Sequence, residues 1–261
     1  MEITNNCIVL KFGGASVSSP EAFSSIADII LHRKKMYKKV IVVVSAMGDT
    51  TDELISLAHK VNPNPPRREL DMLLSVGERI SIALLAMALA AKGTEALSFT
   101  GSQSGIITTN DHANAKIVNV KPHRLLPHLE NEKIVIVAGF QGMSLEGEIT
   151  TLGRGGSDTT AVALAIALKA EKVEFFKDVF GIYEQDPKKN VQARLFETLS
   201  YQEAYDIMNK GAQVLHNRCV RLAEKNSLPL RVLSFERYLD EKLGTTIQDT
   251  MNSGHNTTYE D

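Results

Sequence analysis

Five short runs punctuate the chain as strands, at Cys7–Leu10, Val40–Ser45, Ile134–Ala138, Lys172–Phe176 and Leu230–Ser234. The first three are apolar and rich in β-branched residues, a composition that reads as buried strand. Helical patterns separate them near Pro20–Tyr37, Thr51–Val61, Arg68–Lys92, Lys121–Glu132, Ser200–Lys210 and Asn217–Asn226, and directly after Gly156. Asn62-Pro63-Asn64-Pro65-Pro66 breaks the second helix from the third. Glu95–Phe99 reads as a further short strand, Thr100–Asn110 as a polar loop and Gln141–Thr151 as a hairpin around Glu146-Gly147. Such alternation restricts the chain to an α/β fold, a mainly parallel sheet with helices on both faces.

Open parallel sheets bind ligands beyond the carboxyl ends of their strands. Here those ends are marked by glycine or charge. Lys11-Phe12-Gly13-Gly14 follows the first strand, Ser45-Ala46-Met47-Gly48 the second, Gly139-Phe140 the strand at 134–138, and Lys177-Asp178 with Gly181 the strand at 172–176. Loops at one edge of a sheet are neighbours, so these segments are expected to converge on one site. Lys11 alone reads as a surface lysine before a tight turn. Its spacing fits neither a Walker A loop nor the dinucleotide fingerprint.

A glycine turn opens the helix after Gly156: Gly153-Arg154-Gly155-Gly156-Ser157-Asp158. Helix N-termini offer unpaired N–H groups and a positive dipole end, a seat for anions. Arg154 and Asp158 add one charge of each sign, which suits a charged small molecule. Taken alone, the segment reads equally well as an ordinary glycine-rich connection.

The 261 residues fit one large α/β domain or two small lobes. A net charge of −2 with interspersed signs gives no basic face, so no nucleic-acid partner is expected. Cys7 and Cys219 match no metal-ligand spacing, and so few cysteines suit a reducing cytoplasm. No signal peptide is read at the N-terminus. The longest apolar stretch, Ile80–Ala91, is shorter than a membrane span and reads as a buried helix. No membrane partner is expected.

Several motifs carry a resemblance. They are Lys-Phe-Gly-Gly-x-Ser-Val at 11–17, Ser-Ala-Met-Gly at 45–48, Ser-x-Gly-Glu at 75–78 and Gly-Phe-Gln-Gly at 139–142. With them come Thr-Thr-Leu-Gly-Arg-Gly-Gly-Ser-Asp at 150–158, Asp-Val-x-Gly-Ile-Tyr-x-x-Asp-Pro at 178–187 and Val-Leu-His at 214–216. In this order and spacing they resemble the aspartate kinases across about residues 7–248. The resemblance implies the amino-acid-kinase fold, a three-layer α/β/α sandwich around a mostly parallel eight-stranded sheet. An amino-acid lobe would occupy about 1–150 and a nucleotide lobe 151–248, with 249–261 a polar, frayed tail. It implies ATP and Mg²⁺ as cofactors and L-aspartate as substrate, giving 4-phospho-L-aspartate for lysine, threonine, methionine and diaminopimelate synthesis.

Carried over by motif, Ser45, Thr51, Glu78, Phe140 (through its backbone), Arg154, Ser157 and Asp158 would meet the amino acid, with Glu78 and Asp158 facing its ammonium. Lys11, Gly13, Gly14, Lys177, Asp178, Tyr183 and Lys188 would meet the nucleotide. Lys11 and Asp158 are the catalytic pair, and no residue is assigned as a metal ligand. Without the resemblance, Glu78 reads as a solvated helix residue and Tyr183 as packing; His216 receives no chemistry. The chain departs from the family at Ala15, Lys177, Lys188, Gln213 and Asn217, where Thr, Thr or Ser, Arg, Lys and Pro are usual. Lys177 is expected to replace part of the charge missing at Gln213. A homodimer is implied. No ACT regulatory segment is visible, so a separate ACT regulatory subunit is conceivable, and no feedback inhibition by lysine or threonine is expected of this chain alone. A kinase for another acidic amino acid, such as glutamate or N-acetylglutamate, or a non-catalytic subunit derived from the kinase, are the competing readings.

Overall fold

The computed structural model describes residues 6–185, 187, 190, 192–212, 214–240, 243–249 and 257–260. Strand β1 (Cys7–Phe12) is followed by α1 (Ala22–Lys34), β2 (Lys39–Val44), α2 (Thr50–Val61), α3 (Arg67–Leu74) and α4 (Val76–Ala91). Next come β3 (Ala96–Phe99), β4 (Ile106–Thr108), β5 (Ile117–Val120), α5 (Leu126–Glu130), β6 (Ile134–Ala138), β7 (Gln141–Ser144) and β8 (Ile149–Thr151). The remainder is α6 (Gly156–Ala167), β9 (Lys172–Lys177), β10 (Thr198–Leu199), α7 (Tyr201–Asn209), α8 (Asn217–Lys225), β11 (Leu230–Ser234) and β12 (Thr245–Ile247).

An eight-stranded sheet runs β10-β12-β11-β9-β1-β2-β6-β3. All its pairings are parallel except β11 with β12. A smaller sheet, β5-β4-β7-β8, contains the expected hairpin. The pleat sorts each central strand onto two faces. Ile8, Leu10 and Phe12 join α1 and α4 in one core, whereas Cys7 and Val9 join α6, α7 and α8 in the other. Sheet and two helical layers therefore form the expected α/β/α sandwich. Lys11 has the parity of Val9, and Lys177 that of Val173 and Phe175, so both lysines share the α6 side.

Several local expectations need correction. The segment expected as a loop at 100–110 contains β4, which pairs in parallel with β7. Strand β5, in a stretch given no expected element, pairs with β4. Both are too short and too mixed in polarity to show a clear period of two. The long third helix is interrupted at Ser75. Arg67–Ala91 as a whole is long and apolar enough to cross a membrane by length and composition. It behaves as a core helix: Ile82, Leu85 and Leu89 pack under the sheet, and Asp71 and Glu78 are buried within the protein. The far side of α4 is exposed at Val76, Ile80 and Met87, so Ile80–Ala91 is buried on one face only.

The frayed-tail expectation fails at residues 257–260. Glu260 N–H donates to the Ile117 carbonyl, and the Glu260 carboxylate accepts from Ile117 N–H and from the Arg218 guanidinium at 2.7 and 2.9 Å. Thr258 exchanges hydrogen bonds with the Asn226 side chain. A polar composition gave no sign of these specific partners.

Candidate active site

Strands β9, β1, β2 and β6 are consecutive in the sheet, so their carboxyl ends form one continuous edge. Past β1 the chain turns at once: Ser16 and Val17 N–H groups donate to the Gly13 carbonyl at 3.0 and 3.2 Å. The turn uses the Gly13 carbonyl, which leaves the Gly14 N–H on the opposite side of the same peptide plane. A Cβ placed on Gly13 would sit 3.4 Å from Lys11 Nζ, so the ammonium folds back over this turn. Ser16 Oγ donates to the Phe176 carbonyl and ties the turn to β9.

Helix α6 approaches from the side to which Lys11 points. Its residues Gly156–Ile166 are buried, which an unbroken run of small and apolar side chains permits. Gly155 precedes it with φ +71°, and a Cβ there would lie 2.2 Å from His216 Cγ. Only glycine fits both demands. His216 thus acts as packing for the turn, and its ring Nδ1 accepts from Arg218 N–H at the start of α8. Burial, then the nearby Arg218 charge, pushes the His216 pKa down.

Asp158, in the first turn of α6, meets Lys11: Nζ to Oδ1 is 2.6 Å, with both side chains buried. Its other oxygen lies 3.4 Å from Lys177 Nζ. Burial alone would raise the Asp158 pKa, but the charges and hydrogen bonds of Lys11 and Lys177 outweigh it and hold the group near about 2. Burial pulls the Lys11 pKa down, opposed by Asp158. Lys11 is therefore no surface residue, being 4% exposed. Each Asp158 oxygen thus lies within ion-pair distance of one lysine ammonium.

A cavity of about 540 Å³ opens beside this pair. Lys11, Gly14, Ser45, Thr51, Glu78, Phe140, Arg154, Ser157 and Asp158 all line it, which places every residue expected on the amino-acid side around one space. Glu78 is buried rather than solvated. Its Oε1 accepts from Ala46 N–H at 3.2 Å, and its Oε2 is buried without a hydrogen-bond partner among the described residues. Burial pushes its pKa up to about 7, against the Ala46 N–H bond and the Lys11 charge. Arg154 is exposed at the cavity rim. Phe140 has φ +68°; its N–H donates to Thr160 Oγ1 and its carbonyl accepts from Leu152 N–H. That carbonyl retains a second lone pair.

A second cavity, about 790 Å³, is lined by Lys177, Asp178 and Tyr183. Apolar Ile182, Phe196, Ile207 and Val214 and the cation Lys210 complete it. Tyr183 forms an isolated antiparallel bridge with Leu195. Lys177 lines this cavity while touching Asp158 of the first, so one carboxylate joins the two spaces. Gly13 lies under Lys11 rather than on either cavity wall. Lys188 and Gln213 fall outside the described residues. Lys210, Phe196 and Asp71 escaped sequence reading: none sits in a glycine-marked strand end.

Residues 6–234 match the sequence profile of the Amino acid kinase family. The chain belongs to the amino acid kinase family. Among its relatives is an aspartokinase of Bacillus sp. (strain MGA3), 49% identical over 95% of this chain and 60% of the relative. A solved aspartate kinase from Synechocystis superposes with TM-score 0.85 at 42% identity, over 98% of this chain and 42% of that one. E. coli aspartokinase III in complex with aspartate and ADP gives TM-score 0.83 at 28% identity, over 94% and 65%. The chain thus spans about 60% of the length of the Bacillus aspartokinase. As an amino acid kinase fold, it has the mostly parallel eight-stranded sheet the resemblance implied.

Glu78 generates a prediction with two signs. A carboxyl whose pKa is raised by folding is neutral at low pH, so its burial costs stability only as pH rises from 4.5 through about 7. Glu78→Gln should therefore gain stability at pH 8, on the order of 3 kcal/mol at most, and gain nothing at pH 4. Urea unfolding at the two pH values checks this; equal effects at both would contradict it.

Proposed function

We propose that the chain catalyses transfer of the ATP γ-phosphoryl group to the β-carboxylate of L-aspartate, giving 4-phospho-L-aspartate and ADP. The observation that carries this reading is the Lys11–Asp158–Lys177 bridge, in which one buried carboxylate ties a lysine of each cavity to the other. The similarity to E. coli aspartokinase III, whose structure holds aspartate and ADP, supports it.

In this reading a carboxylate oxygen of aspartate attacks the γ-phosphorus. The bond to the β,γ-bridging oxygen breaks, and ADP leaves with the electron pair. The nucleophile is already ionised at neutral pH, so no general base is needed. Phosphoryl transfer of this kind depends on alignment and charge compensation. Lys11 and the Gly13 and Gly14 amides steady the phosphoryl oxygens, and Asp158 aims Lys11 and Lys177. Arg154 grips a substrate carboxylate through its forked guanidinium. Glu78 Oε2, buried and without a hydrogen-bond partner among the described residues, receives the α-ammonium, together with the spare lone pair of the Phe140 carbonyl. Asp158 faces the same ammonium with the acceptor sites its two lysines leave open. Ser45, Thr51 and Ser157 supply hydroxyls.

The larger cavity takes the nucleotide, with Tyr183 and the apolar wall beside the base and Lys177 toward the phosphates. Among the described residues no three His, Cys, Asp or Glu groups converge as a metal-ligand set. A magnesium ion held by phosphate oxygens and waters requires none, and when bound it would neutralise charge on the phosphates. A homodimer is the proposed assembly, following the family resemblance and the prevalence of symmetric pairs.

Hydroxylamine trapping of acyl phosphate, with Mg-ATP and a panel of aspartate, glutamate and N-acetylglutamate, tests the reaction. Aspartate should react best, and Lys11→Ala should lower kcat by about 10²–10³. No turnover of any acid would contradict the proposal, and preference for another acid would reassign the substrate. Lys177→Thr should raise the KM for ATP severalfold and leave that for aspartate nearly unchanged.

A further inference from the structure

Asp71 is an acidic residue in the middle of α3 with no exposed surface. Its carboxylate gathers three donors from two separate segments. Thr151 Oγ1, at the end of β8, donates to Oδ1 at 2.5 Å. His112 Nδ1 lies 2.7 Å from Oδ2 and donates to it in the tautomer protonated at Nδ1. The Ala113 N–H reaches both oxygens at 3.1 Å. A buried carboxylate is held this fully only when its donors are placed for it.

Two of these partners, Thr151 and Ala113, line the amino-acid cavity, as does Gly153. Ala113 has φ +69°, a left-handed conformation that costs an L-residue energy unless its surroundings impose it. The bond from its N–H to Asp71 imposes it. A further tie closes the loop: Ala115 N–H donates to the Thr151 carbonyl at 2.9 Å. Gly153 then sits against this loop, where an added Cβ would come 3.1 Å from the Ala113 carbonyl. Arg154 is the next residue.

The geometry points to Asp71 as a positioning residue for the amino-acid substrate: it locks the 112–113 loop to the start of the Thr151–Arg154 turn and so fixes where Arg154 presents its guanidinium. Asp71 lines neither cavity and touches no reacting atom. Its influence is confined to the 540 Å³ cavity, because none of its partners lines the nucleotide space. This inference rests on the aspartate kinase reading, and it adds a residue outside every glycine-marked strand end.

The test is steady-state kinetics of Asp71→Asn, Thr151→Val and the double variant, each with both substrates varied, beside the parent protein. Asp71→Asn should raise the KM for aspartate about tenfold and Thr151→Val about threefold, with the KM for ATP within twofold. The double variant should be no worse than Asp71→Asn, because both act through one bond. If Asp71→Asn does not fold, Thr151→Val alone reads the same split. A kcat loss with both KM values moving together, or an unchanged KM for aspartate, would overturn the role. If the parent itself fails to turn over aspartate, the functional reading fails instead, and calorimetric binding of aspartate to parent and Thr151→Val still decides whether Asp71 governs this cavity.

Discussion

Lys11 carries its charge at a depth where water cannot solvate it, and the ion pair with Asp158 is what makes that tolerable. A buried ammonium without a partner would lose its proton or unfold its surroundings. Removing one member of such a pair typically costs about 3–5 kcal/mol, because the other charge stays behind. That constraint explains the local architecture. Helix α6 must bring its first turn against the end of β1, so it is built from small side chains that allow close packing. The turn before it must reverse direction against His216, so Gly155 is left-handed. Lys177 on the neighbouring strand then reaches the second oxygen of the same carboxylate.

The arrangement gives a simple division of labour. On the proposed reading, the two lysines and the turn after β1 face anionic oxygen. Glu78, with one buried oxygen lacking a hydrogen-bond partner among the described residues, suits a cation. An amino acid with an extra carboxylate presents both needs at once. The cost falls on Glu78, whose burial raises its pKa to about 7, a burden a binding site tolerates and a purely structural position would shed.

Much of this was legible in the sequence because parallel sheets convert strand order into location. Glycines or charges after four strands pointed to one edge, and the observed order β9-β1-β2-β6 makes those four ends adjacent. Pleat parity carried more than was read from it: positions 9 and 11, like 175 and 177, must share a face, and this alone aims both lysines at α6. Glu78 and Lys11 were invisible as buried charges, since burial of a charge depends on partners far away in sequence. Asp71 gave no signal for the same reason, as its donors lie 41 to 80 residues along the chain. The short strands β4 and β5 and the 257–260 segment are held by tertiary pairing rather than by local propensity.

The claim that Asp158 works by holding Lys11 is most directly tested by a double-mutant cycle on kcat. Lys11→Met, Asp158→Asn and their combination should be compared in one assay. If the two side chains act as a unit, the combined variant will be about as slow as the slower single one. Losses that multiply across the two sites would show that each acts independently, and would contradict the account.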